Sequence, residues 1–437
     1  KGKQTLKKGV YTLKGWIYIG AGSELTIEPG TVIKGDKATK AALIVERGGK
    51  LIAQGTADAP IVFTSAQAVG QRRPGDWGGV IICGKAHNNQ TEMQIEGGPR
   101  TKHGGNDDAD NSGVLSYARI EFAGYPFKAD QEINGLTLGS VGSGTQIDHV
   151  QVSYSNDDSY EWFGGAVNCK YLVAYKGWDD DFDTDNGFSG KVQFGLSVRD
   201  PRIADQSQSN GFESDNCADG ATGATPLTTA TFSNITFVGP KSASDFQNSN
   251  SYITAGSYFP NNGSGLGKFQ AGMQIRRSSR LNCVNSVVTD WPIGLIIDGE
   301  KGDTPVQAKA GKLRFQNIFI ANADILGSDA NKCYEDKEYD YKAKAVKADS
   351  QQSYSHTFFE LPENNNRYFA DKSSLMLTDG KGVGVAFMPQ SGSSLFGAQN
   401  FSGLDSWFTP VTYIGAFNAN DNWLDGWTNF DPQNTVY

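Results

Sequence analysis

The residues best suited to chemistry are carboxylates that crowd one short stretch of the chain. Eight acidic side chains lie between residues 157 and 185, where only two lysines oppose them. Carboxylate oxygens are the ligands that Ca²⁺ favours, and paired carboxylates can also hydrolyse glycosides as acid and base. The same crowding is typical of a solvated turn surface, because Asp and Asn bond to nearby backbone groups. A metal site, a catalytic pair and a plain polar surface are therefore all open interpretations.

The acidic stretch belongs to a repeat of 22 residues. HVQVSYSNDDSYEWFGG aligns with YLVAYKGWDDDFDTDNG, so that Glu161 matches Asp183. Another 22 residues are predicted to bring Phe194 and Leu196 into the same apolar register, and NGFESDN then supplies Glu213 after an insertion of eight residues. A coil that repeats, keeps its strand register and tolerates insertions is typical of a solenoid.

Strand geometry sorts these side chains onto two faces, because successive residues of a strand point to opposite sides. The alternation predicts an inward aromatic stack formed by Tyr160, Phe182 and Phe212. It predicts an outward carboxylate column formed by Glu161, Asp183 and Glu213, with Asp185 and Asp215 in a second column beside it. Like charges directly opposite one another destabilise a sheet. The column therefore requires a cation, bound protons or water.

Calcium is the cofactor that this arrangement predicts, since Ca²⁺ accepts about six to eight oxygen ligands in irregular geometry. The predicted ligands are Asp158, Glu161, Asp180, Asp181, Asp183, Asp185, Glu213 and Asp215. If the chain is an enzyme, the candidate catalytic residues are Glu161, Asp183 and Glu213. Adjacent rungs suit the roughly 5 Å carboxyl separation of retaining glycosidases, and a skipped rung suits the wider separation of inverting ones.

Aromatic side chains near the column are candidate sugar-binding residues: Trp162, Tyr175 and Trp178. An exposed ring can stack on the apolar face of a sugar, whereas a buried ring contributes to packing. Their role therefore depends on exposure.

The elements that must position these residues are short strands. WIYIGAGSELTIEPGTVIKG alternates apolar and polar residues between glycine turns, and no helical period persists. With the repeat, this pattern predicts an all-β chain whose residues 1–355 form a single right-handed parallel β-helix. Loop insertions are predicted near residues 84–114, 240–272, 300–312 and 326–357. Residues 356–437 are predicted to form a C-terminal segment packed on the helix, covering its last coils.

Several motifs carry a family resemblance: GDWGGVIICGKA, EINGLTLGSVG, NGFESDN and GWTNFDP. They resemble the pectate-lyase-like superfamily of parallel β-helices and, more closely, a largely uncharacterised family of exported bacterial proteins and lipoproteins. The resemblance implies an extracytoplasmic protein that is secreted, periplasmic or anchored to the outer membrane, with a lipid anchor upstream of Lys1 as one form of attachment. No motif matches the catalytic residues of characterised pectate lyases, and fold alone does not fix function.

Composition narrows the partners. The net charge of −9 disfavours nucleic acid. The sequence contains no run of about 18 apolar residues, so no transmembrane segment is predicted. The sequence thus predicts an exported or surface β-helix that binds Ca²⁺ and a polysaccharide or surface glycan. A polysaccharide lyase or glycoside hydrolase is one alternative, and a structural or adhesive surface protein without a small ligand is another.

Overall fold

The computed structural model describes residues 2–90, 92–128, 131–256, 264–329, 338–340, 342–343, 345–349 and 351–437. Parts of the insertions predicted at 240–272 and 326–357, together with Cys333, lie outside these residues. Two large sheets contain 26 of the 34 described strands.

Sheet A has sixteen described strands. They are Lys3–Leu6, Val10–Leu13, Glu24–Ile27, Val32–Gly35, Lys50–Gln54, Ile61–Ser65, Gly113–Glu121, Gln146–Ser153, Asn168–Tyr175, Lys191–Val198, Thr231–Val238, Asn282–Val284, Val287–Thr289, Phe315–Gln316, Phe319–Ala321 and Arg367–Phe369. Sheet B has ten: Trp16–Ile19, Ala42–Val45, Gly79–Cys83, Leu136–Gly139, Tyr160–Phe163, Phe182–Asp185, Phe212–Ser214, Ala271–Ile275, Ile293–Ile297 and Ile325–Ser328.

Each coil contributes to both sheets, and strands of successive coils pair in parallel. In the central coils the sheet A strand bends at a residue with positive φ, such as His149 (50°) and Asn234 (59°). The bend lets one strand wrap two sides of the core before the chain turns into sheet B. The predicted all-β parallel β-helix is confirmed.

The repeat also predicts the register correctly for its first two coils. Glu161 lies opposite Asp183, and Asp183 lies opposite Glu213. The prediction for Phe194 and Leu196 is wrong by one residue, because Leu196 pairs with Val173. A shift of one residue reverses the face of a strand, so Leu196 packs outside the main core.

The core runs along the axis between the sheets. Inward residues at period two, such as Val150, Leu172 and Phe182, are fully buried because apolar area removed from water stabilises the coil by about 25 cal/mol per Å². The four described cysteines, Cys83, Cys169, Cys217 and Cys283, are free and buried.

The loops between coils and the C-terminal segment contain small elements. The α-helices are Thr304–Lys309 and Tyr354–Phe359, and the described 3₁₀ helices are Pro240–Ser242, Pro362–Asn364 and Ser373–Leu375. Four antiparallel strand pairs join Met93–Gln94 to Lys102–His103, Pro126–Lys128 to Gln131–Glu132, Tyr339–Asp340 to Ala345–Val346, and Leu377–Thr378 to Met388–Pro389. No helix in the described ranges is long and apolar enough to cross a membrane.

The C-terminal segment runs back along the outer face of sheet A. It contacts Asn285 through Asn400 and then reaches Gln151 through Asn429. Its last residue, Tyr437, bonds to Glu121 at 2.7 Å and accepts from Lys34 at 2.9 Å. The helix Tyr354–Phe359 and the strand Arg367–Phe369, which pairs with Phe319–Ala321, lie on the last coils, and the rest of the segment contacts earlier coils as far back as Lys34.

Candidate functional site

The acidic column lies on the outer face of sheet B. Its carboxylates occupy three consecutive rungs, Glu161, Asp183 and Glu213, with Thr137 on one side and Gln274 on the other. Thr137 and Gln274 are buried, at 1% and 0% exposure. The neighbouring positions on this face are therefore covered, and the three carboxylates are only partly exposed.

Behind the column stands the predicted aromatic stack of Tyr160, Phe182 and Phe212, each fully buried. The Tyr160 and Phe182 rings stack with centroids 5.4 Å apart. Tyr160 also donates its hydroxyl hydrogen to the Val173 carbonyl at 2.9 Å. This rigid, apolar backing fixes the backbone from which the outward carboxylates project.

Side chains of the column and of the adjoining corner approach closely enough to share a cation. Three groups have carboxylate oxygens within 4.8 Å of one another: Asp157, Asp158 and Asp179; Asp158, Glu161 and Asp183; and Asp180, Asp183 and Glu213. Asp158 and Asp183 each belong to two groups, so the groups form a continuous chain. These residues could hold a metal ion.

Two of the corner carboxylates also have a structural role. Asp158 Oδ1 accepts the backbone N–H of Asp180 at 2.8 Å, and Asp180 Oδ1 accepts that of Asn210. Asn210 Oδ1 in turn accepts the N–H of Ala271 at 3.1 Å. This ladder occupies one oxygen of each aspartate and leaves the other available.

Asp181 does not join the column. It precedes the strand Phe182–Asp185, and its Oδ1 accepts from Arg199 Nη1 at 2.9 Å, with both side chains fully buried. The period-two rule places it with Asp183, but that rule applies only inside a strand. Asp181 is held in an internal ion pair.

Two arginines neutralise Asp215 of the second column and Glu213 of the first. Arg276 bonds to Glu213 and, at 2.8 Å, to Asp215; Arg277 binds the other Asp215 oxygen at 2.8 Å. Neither Asp215 nor Asp185 belongs to the three carboxylate groups. Of the predicted ligands, the structure thus brings together Asp158, Glu161, Asp180, Asp183 and Glu213.

The centre of the column has no such compensation. Asp183 Oδ1 is shielded from solvent and has no hydrogen-bond partner among the described residues, and the same holds for Asp179 Oδ1. A buried polar atom without a partner costs about 1–3 kcal/mol. Asp183 Oδ1 lies where two of the three carboxylate groups meet, and a bound cation would give this oxygen the partner that it lacks.

Electrostatics point the same way. Burial, followed by repulsion from Glu161 and Glu213, raises the pKa of Asp183 well above its usual range. Burial and then Asp215 raise the pKa of Asp185 to about 8. Burial raises the pKa of Glu213 to about 7 even though Arg276 opposes the shift. These raised pKa values favour bound protons on the three carboxyl groups, and a cation would replace those protons.

The three aromatic residues suggested for sugar stacking are not at a surface. Trp162 and Trp178 are fully buried, and Tyr175 is 2% exposed. Trp178 donates to the Gly265 carbonyl at 3.1 Å, and Tyr175 packs against Phe430 of the C-terminal segment. Their apolar area is used for packing, and no ring face is presented to a sugar.

Other residues at the site were missed in the sequence. Asp157 and Asp179 repeat at the 22-residue spacing and could have been added to the ligand set from that signal. Two further residues gave no signal in the sequence. Asn134 donates its Nδ2 hydrogen to Glu161 Oε2, and Gln274 lies opposite Glu213 on the next strand. The long insertion before Gln274 hides its alignment with Glu213.

Comparison with curated proteins and with solved structures gives no match. A family model described as a pectate-lyase like beta helix domain matches residues 1–359. The match covers every coil that carries the acidic column. Sequence match and parallel coils agree, and the chain belongs to the pectate-lyase-like β-helix family.

Proposed function

We propose that this chain is an exported or surface-displayed protein that binds Ca²⁺ in the acidic column and, through the same face, a glycan. The observation that carries the proposal is the shielded, unpartnered Asp183 Oδ1 where two groups of three carboxylates meet. The family favours a carbohydrate-related role for this face.

The donor set selects the metal. All members of the three groups are carboxylates. Hard oxygen donors suit Ca²⁺ and Mg²⁺, whereas Zn²⁺ prefers nitrogen and sulfur. Mg²⁺ demands near-octahedral geometry, and Ca²⁺ tolerates the irregular spacing that backbone-bonded Asp158 and Asp180 impose.

Glycan binding follows from the position of the site. The column and the adjoining corner are partly open, because Glu161 and Asp183 of the column and Asp157 and Asp179 of the corner are only half-buried. A Ca²⁺ held from one side keeps coordination positions for hydroxyl or carboxylate oxygens of a polysaccharide. Since the nearby rings are buried, we expect recognition to be polar and calcium-dependent.

Calorimetric titration of chelator-treated protein with Ca²⁺ tests the metal site. Wild type should release or absorb heat in a saturable way, and Asp183→Asn should lose it because that variant removes the negative charge and one of the two oxygens of the carboxylate that two groups share. Asp58→Asn is the matched control, as Asp58 is exposed and far along the chain from the column. Equal binding by Asp183→Asn and wild type would refute the site.

A second candidate function, cleavage of a polysaccharide, rests on Glu213. A carboxyl group with a pKa of about 7 can hold a proton for a leaving group. Asp183 approaches Glu213 within 4.8 Å, near the roughly 5 Å of retaining glycosidases. Product analysis on acidic and neutral polysaccharides would show cleavage abolished in Glu213→Gln. Glycan binding without new chain ends in wild type supports the binding function instead.

A further inference from the structure

Three consecutive rungs of sheet A bring an aspartate, an asparagine and a lysine together at one corner of the β-helix. The strands Val287–Thr289 and Phe319–Ala321 pair in parallel, and the next rung pairs with the second of them. Asp290 and Asn322 directly follow these two strands, and Lys372 lies shortly after the third. The coil register therefore brings together residues that are far apart in the chain.

Asp290 connects the other two side chains. Its Oδ2 accepts from Lys372 Nζ at 2.6 Å, and its Oδ1 accepts from Asn322 Nδ2 at 2.7 Å. The Asp290 side chain is fully buried, whereas that of Lys372 is partly exposed. One carboxylate thus holds an amine and a carboxamide side by side, and both contacts are short enough for proton transfer.

The backbone holds the aspartate and the asparagine in fixed positions. Both have positive φ, 66° at Asp290 and 55° at Asn322, a conformation that Asp and Asn adopt more readily than most residues. The Asp290 N–H donates to the Ala321 carbonyl at 3.1 Å, and the Asn322 N–H donates to the Phe369 carbonyl at 3.0 Å. Groups that are fixed side by side react as though they were highly concentrated.

A second lysine lies at the same corner and makes different contacts. Lys241 Nζ donates to Asp324 Oδ1 at 2.6 Å and to the Asn322 backbone carbonyl at 2.9 Å. Lys241 therefore contacts the main chain of the asparagine, while Lys372 contacts the acid that holds its side-chain amide. Lys372 is the amine that is placed to react with that amide.

We propose that Lys372 and Asn322 form an intramolecular isopeptide bond, with Asp290 as the group that transfers protons. Asp290 takes a proton from the Lys372 ammonium, and the neutral Nζ attacks Cγ of Asn322. Asp290 gives that proton to Nδ2, so the Cγ–Nδ2 bond breaks and ammonia leaves. Asp290 then takes up the proton that the new Nζ–Cγ amide loses, and ammonia carries it away as ammonium.

The bond fastens the C-terminal segment to the last coils. It closes residues 322–372 into a covalent loop, and a link across a long loop restricts the unfolded chain. The reaction uses no residue of the acidic column, so the cross-link and the proposed calcium site are tested independently.

Mass spectrometry of the purified chain tests the proposal. Wild type should be lighter than its sequence mass by about 17 Da, the mass of ammonia. Tryptic digestion should give residues 315–332 joined to residues 368–381, because the bond prevents cleavage after Lys372. Lys372→Arg keeps the charge beside Asp290 but should have its full sequence mass and separate peptides. The matched control, Lys241→Arg, should keep the cross-link.

A second variant tests the role of the acid. Asp290→Asn has nearly the same size and can still form hydrogen bonds, but its amide cannot take up the lysine proton. It should have its full sequence mass while its circular dichroism matches that of wild type. If this variant does not fold, Lys372→Arg decides the matter, since it leaves the buried carboxylate in place.

Three results would overturn the proposal. One is wild type of full mass whose two tryptic peptides are separate. Another is a mass loss that persists in Lys372→Arg, as cyclisation of an asparagine onto its own backbone would give. The third is a cross-linked peptide that contains Lys241 in place of Lys372.

Discussion

Glutamines on the outer face of sheet A and carboxylates on the outer face of sheet B differ in how they are paired. On sheet A, Gln151 donates to the Asn429 carbonyl and accepts from the Asn429 N–H, both at 2.8 Å. Gln193 makes the same pair of bonds with Thr409, also at 2.8 Å. On sheet B, the shielded oxygen of Asp183 has no partner among the described residues.

Polar groups that are paired within the chain indicate a structural role, and a polar group left unpaired indicates a ligand. Side-chain amides on sheet A imitate a neighbouring strand, so the C-terminal segment completes the fold there. Buried polar groups are normally paired, and exceptions need an explanation. The unpartnered oxygen on sheet B lies within a chain of carboxylates, which is why we propose ligand binding at that face.

The largest effect should come from detaching the C-terminal segment. Trp427 is fully buried and packs edge-on against Tyr117 and His149. Trp427→Ala should lower the free energy of unfolding by about 3–5 kcal/mol, measured by urea denaturation. The half-buried Trp407 is the control, and its replacement by alanine should cost less. Equal losses would mean that the segment is not anchored at Trp427.

Calcium should stabilise the other face by a smaller amount. A ligand at a hundredfold excess over its Kd adds about 2.7 kcal/mol to the free energy of unfolding. Wild type should show this gain in urea denaturation with and without Ca²⁺, and Asp183→Asn should not. In chelator at neutral pH the two proteins should be about equally stable, since the raised pKa keeps Asp183 protonated there and the variant removes no charge. A variant much more stable than wild type in chelator would show that Asp183 is ionised in the column.

The stability of the metal-free protein should depend on pH with a definite sign. Glu213 and Asp185 have folded pKa values raised to about 7 and about 8. Between their unfolded values near 4 and those folded values, the folded state binds more protons, so stability falls as pH rises.

Each such group lowers the free energy of unfolding by up to about 1.4 kcal/mol per pH unit within that window. Urea denaturation in chelator from pH 5 to 8 measures the slope. Ca²⁺ should flatten it, because a bound cation keeps the carboxylates ionised. A chelated protein that gains stability toward pH 8 would show that these carboxylates are already compensated.

Much of sheet B could be predicted from the sequence. Little could be predicted of the ion pairs and chain segments around it. The 22-residue repeat gives the Glu161, Asp183 and Glu213 column because coil spacing and strand alternation are local properties. It could not give the Arg199 pair of Asp181 or the path of the C-terminal segment. Those depend on contacts between residues far apart in the chain, which no period encodes.

The smallest effect should come from exchanging single amides on the two faces. Gln151→Leu removes both bonds to Asn429 and leaves that backbone unpaired, so it should cost about 1–3 kcal/mol. Gln274→Leu removes one bond, from Asn210 Nδ2, together with an Nε2 that has no described partner.

Gln274→Leu should therefore cost less in urea denaturation, while Gln151→Leu should leave Ca²⁺ titration unchanged. The reverse order of stability would mean that the amide below Glu213 is a structural partner. In that case sheet B, like sheet A, would be completed by the fold, and the unpaired Asp183 oxygen would have to find its partner within the chain.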